Sequence, residues 1–196
     1  MTEPRTATVE RSTSETEIRL TLGLDGTGQS TIQTGVGFLD HMLTALAKHG
    51  RLDIDLQVNG DLDVDDHHTV EDTALALGAA LDQALGERRG IERFSHAYAP
   101  LDEALARVVI DLSGRPYARV AIPFVREMVG DVATENLTHF FQSLAMTGRL
   151  ALHVDVLEGE NDHHKAEAAF KALAIALRRA VARTGGSDVP STKGSL

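Results

Sequence analysis

Two stretches decide how this chain is read: DDHHTVED, residues 65–72, and NDHHKAEA, residues 161–168. Each carries a histidine pair and then a glutamate three residues on, and the two copies stand 96 residues apart in a chain of 196. The likeness spreads outward from both. Downstream, Val70, Ala74, Leu77, Leu81 and Leu85 match Ala166, Phe170, Leu173, Leu177 and Val181, the spacing of one apolar helix face. Upstream, FLDHMLTALAKHGRLDIDLQV from Phe38 matches NLTHFFQSLAMTGRLALHVDV from Asn136, pairing His41 with His139 at an offset of 98. Further back, IRLTLGLDG from Ile18 and ARVVIDLSG from Ala106 both alternate like strands and end at a turn glycine.

Self-similarity at such a period governs the fold. Each half predicts strands, a helix bearing the lone histidine, one more strand after GRL, and a helix opened by the histidine pair. The expected fold is α+β, with two similar tandem halves, each a mixed β-sheet with α-helices packed on one face. The boundary is placed near GERRGIERF, residues 86–94, which divides the chain into halves of residues 1–90 and 91–196, the second ending in a tail. That second half has an extra segment before its first helix, roughly Pro123 to Thr134.

Composition narrows the chemistry. Hydrophobic residues make up 42% of the chain, enough for a core, yet no stretch approaches the roughly 18 consecutive apolar residues of a membrane span. The N-terminus has no apolar export region, so cytoplasm is the expected location and no membrane partner is expected. With no cysteine, disulfides, thiolate metal sites and thiol nucleophiles are excluded, and any metal must be held by nitrogen and oxygen. A formal net charge of −10 offers no cationic footprint for nucleic acid.

Adjacent residues on a helix point about 100° apart, so His67 and His68 should serve two different ions. Residues four apart share a face, so His67 with Glu71, and His163 with Glu167, each make a chelating pair. Six repeated histidines, His41, His67, His68, His139, His163 and His164, and two repeated glutamates, Glu71 and Glu167, divide evenly into two sites of three imidazoles and one carboxylate. A six-coordinate ion there keeps two positions open; manganese or iron suits the set better than structural zinc, which closes at four ligands. Whether the sites are completed within one chain or across a subunit contact stays open. His49, His96 and His153 lie outside the repeated set, and His49 is answered by Thr147.

In addition, TGVGFLDHML from Thr34, DDHHTVEDTALALG from Asp65, PLDEALARVVIDLSGRP from Pro100, HFFQSLA from His139, DHHKAEAAFKALA from Asp162 and VPSTKG from Val189 occur in one order along nearly the whole chain. In these blocks the chain resembles the imidazoleglycerol-phosphate dehydratase family, in its monofunctional form. The resemblance implies a hydro-lyase of histidine biosynthesis that converts D-erythro-imidazoleglycerol phosphate to imidazole acetol phosphate. It also implies two manganese ions per active site, sites shared between subunits, and a homo-oligomer of 24 chains. By the same resemblance Glu15 is the candidate for proton transfer and His49 a weaker candidate for contacting the substrate hydroxyls. Arg93, Arg115, Lys171, Ser191 and Lys193 match the phosphate contacts, with Ser191 and Lys193 in a tail that closes over substrate. Asp102 and Glu103 are assigned to structure, and Ile122–Asn136 is assigned no bearing on the ligands.

Two other classes fit part of the pattern. A metal-storage shell needs the eight ligands but has no use for Arg93, Arg115, Lys171 and Lys193. A dinuclear phosphate-ester hydrolase ordinarily bridges close metals with carboxylates, and this chain has no spare aspartate cluster at ligand spacing.

Overall fold

The computed structural model describes residues 4–194, so the outermost ends of the two halves, residues 1–3 and 195–196, lie outside the described residues. The first half runs β1 (Thr6–Ser12), β2 (Thr16–Gly23), β3 (Ser30–Gln33), α1 (Gly37–Gly50), β4 (Asp53–Gly60) and α2 (His67–Leu85). The second runs β5 (Phe94–Leu101), β6 (Ala104–Asp111), β7 (Tyr117–Ala121), the short β8 (Met128–Val129) and β9 (Val132–Ala133), α3 (Thr134–Gly148), β10 (Ala151–Glu158) and α4 (Asp162–Ala180). Each half forms a four-stranded sheet, in the orders β1-β2-β4-β3 and β5-β6-β10-β7. Both are mixed in the same way, because β3 runs parallel to β4 and β7 parallel to β10 while all other neighbours are antiparallel. The expected α+β fold of two similar halves, each with helices against a mixed sheet, is the observed one.

Period-two alternation makes each sheet one-faced. On β2, Ile18, Leu20 and Leu22 are buried, and on β6, Ala106, Val108 and Ile110 are. Helix α2 packs on β1, β2 and β4, and α4 on β5, β6 and β10, while α1 packs against α4 and α2 against α3. The four helices thus stand between two sheets, and one continuous apolar core runs through both halves. At its centre Phe140, Phe141 and Phe170 meet with ring centroids 4.9–5.9 Å apart.

Small residues set how closely the helices approach. A Cβ placed on Gly78 of α2 would lie 2.2 Å from Thr147 Oγ1 and 2.6 Å from the Leu144 carbonyl of α3. On the other helix pair the matched residues are Ala174 and Gly50, and a Cβ on Gly50 would lie 3.4 Å from the Ala174 carbonyl. The α2–α3 pair therefore crosses with its backbones nearly touching, whereas the α1–α4 pair leaves ordinary contact distance at Gly50.

The extra segment before α3 forms the β8–β9 hairpin and is fastened to the starts of three helices. Asp131 accepts from the N–H groups of Gly37 at 2.6 Å and Phe38 at 2.9 Å, capping α1, whose own N-cap residue Val36 offers no side-chain acceptor. Asp66, before α2, accepts from the Ala133 N–H at 2.9 Å. Asp162, at the start of α4, accepts from the N–H groups of Val125 and Arg126 at 2.9 and 2.7 Å, and Lys165 Nζ donates to the Pro123 carbonyl at 2.8 Å. The expectation that Ile122–Asn136 has no bearing on the ligands is therefore corrected. The first N–H groups of a helix lack partners within it, and for α1 the partner comes from this segment.

Substituting Gly78→Val should force α2 and α3 apart. We expect a loss of roughly 1–3 kcal/mol, the usual range for overpacking, read as a lower denaturation midpoint at an unchanged denaturant slope.

Candidate metal centre

Because α2 opens at His67 and α4 at Asp162, each histidine pair sits in the first turn of its helix, with the glutamate one turn further on. His67 Nε2 lies 3.5 Å from Glu71 Oε2, and His163 Nε2 lies 3.2 Å from Glu167 Oε2. The lone histidines cross over. His139 of α3 brings Nε2 to 3.0 Å from Glu71 Oε1, and His41 of α1 brings Nε2 to 3.1 Å from Glu167 Oε2. Each half's single histidine thus joins the other half's pair, as the α2–α3 and α1–α4 packing dictates. Within each set of three, the candidate donor atoms lie within 4.8 Å of one another.

His68 and His164 do not join these clusters; the helical rotation between neighbours turns them away. His68 Nδ1 lies 3.0 Å from Asp61, with its Nε2 3.7 Å from Glu15. His164 Nδ1 lies 2.7 Å from Glu103, with its Nε2 4.0 Å from Asp102. One chain therefore gathers two imidazoles and one carboxylate at each cluster, and presents its remaining two imidazoles elsewhere. In both of those, the carboxylate accepts from Nδ1–H, which leaves the Nε2 lone pair facing outward as a donor.

Three polar residues that support the histidines were not singled out for this from sequence. Asn136 Oδ1 lies 3.0 Å from His67 Nδ1, Asp61 holds His68, and Glu103 holds His164. Glu103 also accepts from the backbone N–H groups of Glu160 and Asn161 at 3.1 and 2.8 Å, which ties the β5–β6 hairpin to the start of α4. One signal was available: pairing Ile18 with Ala106 places Glu15 on Glu103, so both are hairpin-tip glutamates facing an outer histidine.

Charge follows these contacts. The Asn161 backbone N–H, then His164, holds the Glu103 carboxyl down at about 2. Desolvation pushes Glu167 up, but hydrogen bonds from Lys171 and His41 outweigh it and hold the carboxyl at about 2. The hydrogen bonds to Asp61 and Glu103 raise the proton affinities of His68 and His164 above the ordinary histidine value. His49, near the end of α1, moves the other way, lowered by desolvation and by the Lys171 cation.

Arg93, Arg115, Ser191 and Lys193 line one open cavity of about 610 Å³. The Arg93 backbone is left-handed, with φ 67°, and its guanidinium forks onto Asp111 at 2.7 and 3.2 Å while donating to the Pro190 carbonyl at 2.6 Å. Lys171 stands apart from these four, with Nζ 2.6 Å from Glu167 Oε1. The Arg93 N–H donates to the Ala180 carbonyl, at the opposite end of α4 from His163. At about 1.5 Å of rise per residue, the cationic cavity and the His163 cluster of one chain are roughly 25 Å apart. Glu15 is exposed at the β1–β2 turn.

Two neutral imidazoles and a carboxylate in hydrogen-bonding proximity are a sound partial donor set for a first-row divalent ion, and they leave positions for further ligands. Metal competes with protons for such a set. His68 and His164, whose proton affinities are raised, keep their ion pairs with Asp61 and Glu103 below 6.5 and lose them as pH rises through the raised values. Divalent-cation binding followed by equilibrium dialysis should accordingly weaken as pH falls through the ordinary histidine range.

A family model described as imidazoleglycerol-phosphate dehydratase matches residues 34–177. A Phaffia rhodozyma protein of that name is 57% identical over 98% of this chain and 96% of its own length. A Zymomonas mobilis protein of the same name is 55% identical over 98% of this chain and 99% of its own. Among solved structures, the Pyrococcus furiosus enzyme is 38% identical with a TM-score of 0.84, covering 96% of this chain and 100% of that one. The Staphylococcus aureus enzyme is 36% identical with a TM-score of 0.83, covering 91% and 99%.

Proposed function

The chain belongs to the imidazoleglycerol-phosphate dehydratase family, enzymes of histidine biosynthesis that remove water from imidazoleglycerol phosphate, and on that premise we propose how its residues perform the reaction. The carrying observation is the pair of clusters, His67–Glu71–His139 and His41–His163–Glu167, each with its donors within 4.8 Å. In this reading each holds one divalent ion, manganese by preference and iron as the alternative, so that two serve each active site. Bound there, the ions would supply Lewis acidity that lowers the pKa of the substrate imidazole, so that loss of its N–H proton makes the ring electron-rich enough to expel the neighbouring side-chain hydroxyl, which leaves with that proton as water.

The protein's own groups do the rest. Glu15, exposed at its hairpin tip and 3.7 Å from His68 Nε2, takes the proton from the next side-chain carbon, and the resulting enol collapses to the ketone of imidazole acetol phosphate. His49, held toward its neutral form by desolvation and Lys171, accepts a hydrogen bond from a substrate hydroxyl. Arg93, Arg115, Ser191 and Lys193 receive the phosphate, with the segment around Pro190 closing over it, and Lys171 contacts substrate from beside Glu167.

No single chain assembles this site. The cationic cavity lies roughly a helix length from its own His163 cluster, and His68 and His164 turn outward with Nε2 available. Both features support active sites composed from several chains, with His68 and His164 completing the clusters of neighbouring copies. Apolar side chains on the outer face of the second sheet, Phe94, Tyr98, Val109 and Tyr117, are 40–60% exposed and offer surface for such contacts. The proposed assembly is the homo-oligomer of 24 chains that the family resemblance implies. A cytoplasmic location goes with it, since a phosphorylated substrate does not cross membranes unaided. Among the described residues, no helix is long and apolar enough to cross a membrane. The cavity that gathers Arg93, Arg115, Ser191 and Lys193 favours catalysis over metal storage.

The deciding assay measures imidazole acetol phosphate formation by chelator-stripped protein before and after manganese is restored. Product should appear only after restoration; its absence from well-folded, manganese-loaded protein would overturn the mechanism. Glu15→Gln should lower kcat by at least about a hundredfold with little change in KM, and near-normal turnover would remove Glu15 from proton transfer.

A further inference from the structure

The two clusters share a donor set but not an environment. Over the opening of α2, residues 65–75, the formal charge is −4, whereas over the matched residues 161–171 of α4 it is 0. Asp65 is answered by Asn161, and each accepts from the backbone N–H of its histidine, at 2.8 and 2.9 Å, so the cap survives while the charge is dropped. Asp66 is answered by Asp162, which is neutralised in the interior by Lys165 at 2.8 Å, where α2 has Thr69. Asp72 is compensated by Arg11 at 2.9 Å, which leaves the α2 opening still net negative. Leu75 is answered by Lys171.

Lys171 acts on the ligand itself. Its Nζ, 2.6 Å from Glu167 Oε1, occupies one carboxylate oxygen, so that only Oε2 faces His41 and His163, at 3.1 and 3.2 Å. Glu71 turns both oxygens to its imidazoles, Oε1 to His139 at 3.0 Å and Oε2 to His67 at 3.5 Å. The imidazoles differ as well. Asn136 accepts from His67 Nδ1, which strengthens Nε2 as a donor. Its matched residue is Phe38, whose ring packs edge-on to His163 at 5.1 Å, and among the described residues none is hydrogen-bonded to His163 Nδ1. A nearby cation, a carboxylate with one oxygen engaged and an unsupported imidazole all weaken the hold on a divalent cation.

Resting on the reading of these clusters as metal sites, we infer that the pair is graded. The cluster of His67, Glu71 and His139 retains its ion, and the cluster of His41, His163 and Glu167 holds a weaker, exchangeable one. Lys171 and Phe38 are the positioning residues that set the difference.

The test is a titration of manganese-loaded protein with a competing chelator, reading protein-bound manganese per chain by elemental analysis. The grading predicts two equal steps at least about tenfold apart in affinity. His163→Ala should remove only the weak step and His67→Ala only the tight one. Lys171→Leu, which installs the matched residue, should move the weak step toward the tight one, and Leu75→Lys should weaken the tight step. Should a histidine variant fail to fold, the Lys171→Leu and Leu75→Lys titrations decide. A single step releasing both ions, or a separation unchanged in both variants, would overturn the grading and leave the metal reading standing. Wild-type protein that binds no manganese would overturn both.

Discussion

The packing of α1 on α4 and of α2 on α3 is the constraint on which the site depends. Gly78 lets the α2 and α3 backbones come together and so carries His139 to Glu71, and the packing of α1 on α4 carries His41 to Glu167. Neither half builds a cluster alone, because the chelating pair lies on one half and the imidazole that completes the set of three lies on the other. The packing of the core and the formation of the clusters are therefore the same event.

Around this frame, supporting contacts have been distributed unevenly. Glu15 and Glu103 occupy matched hairpin tips, but Glu103 is tied to two backbone N–H groups and to His164, whereas Glu15 bonds to neither a helix start nor a ring nitrogen within hydrogen-bond range. A locked carboxylate suits orientation and a looser one suits proton transfer. Lys171 against Leu75 and Asn136 against Phe38 extend the same asymmetry to the clusters themselves. Two halves of one fold thus supply different local chemistry with the same backbone.

Much of this was legible in the sequence, and what was not has a physical reason. The histidine pairs with their glutamates, the lone histidines and the strand alternation are local patterns, so the repeat exposed both the fold and the set of repeated donors. The exchange of His41 and His139 between halves was not readable, because it is set by which helices pack, a tertiary fact. Asn136 and Asp61 were not legible since neither repeats: Asn136 is answered by Phe38, and Asp61, at the 98-residue offset of β4 and β10, by Gly159. The grouping of Arg93 with the tail, and the separation of Lys171 from it, depend on the length of α4 and the path of residues 181–193 back along Gly90 and Arg93, which composition does not encode.

Asp131 supplies the acceptor for the first N–H groups of α1, the helix that carries His41. In vectorial synthesis the ribosome completes that helix long before it reaches the residue that caps it, and α4, against which α1 packs, comes later still. The N-terminal half therefore emerges with α1 lacking its Asp131 cap and with the face that packs on α4 uncovered. Excising residues 1–90 as an independent unit would leave the same surfaces unmet, and the chain is better regarded as one cooperative folding unit written in two verses.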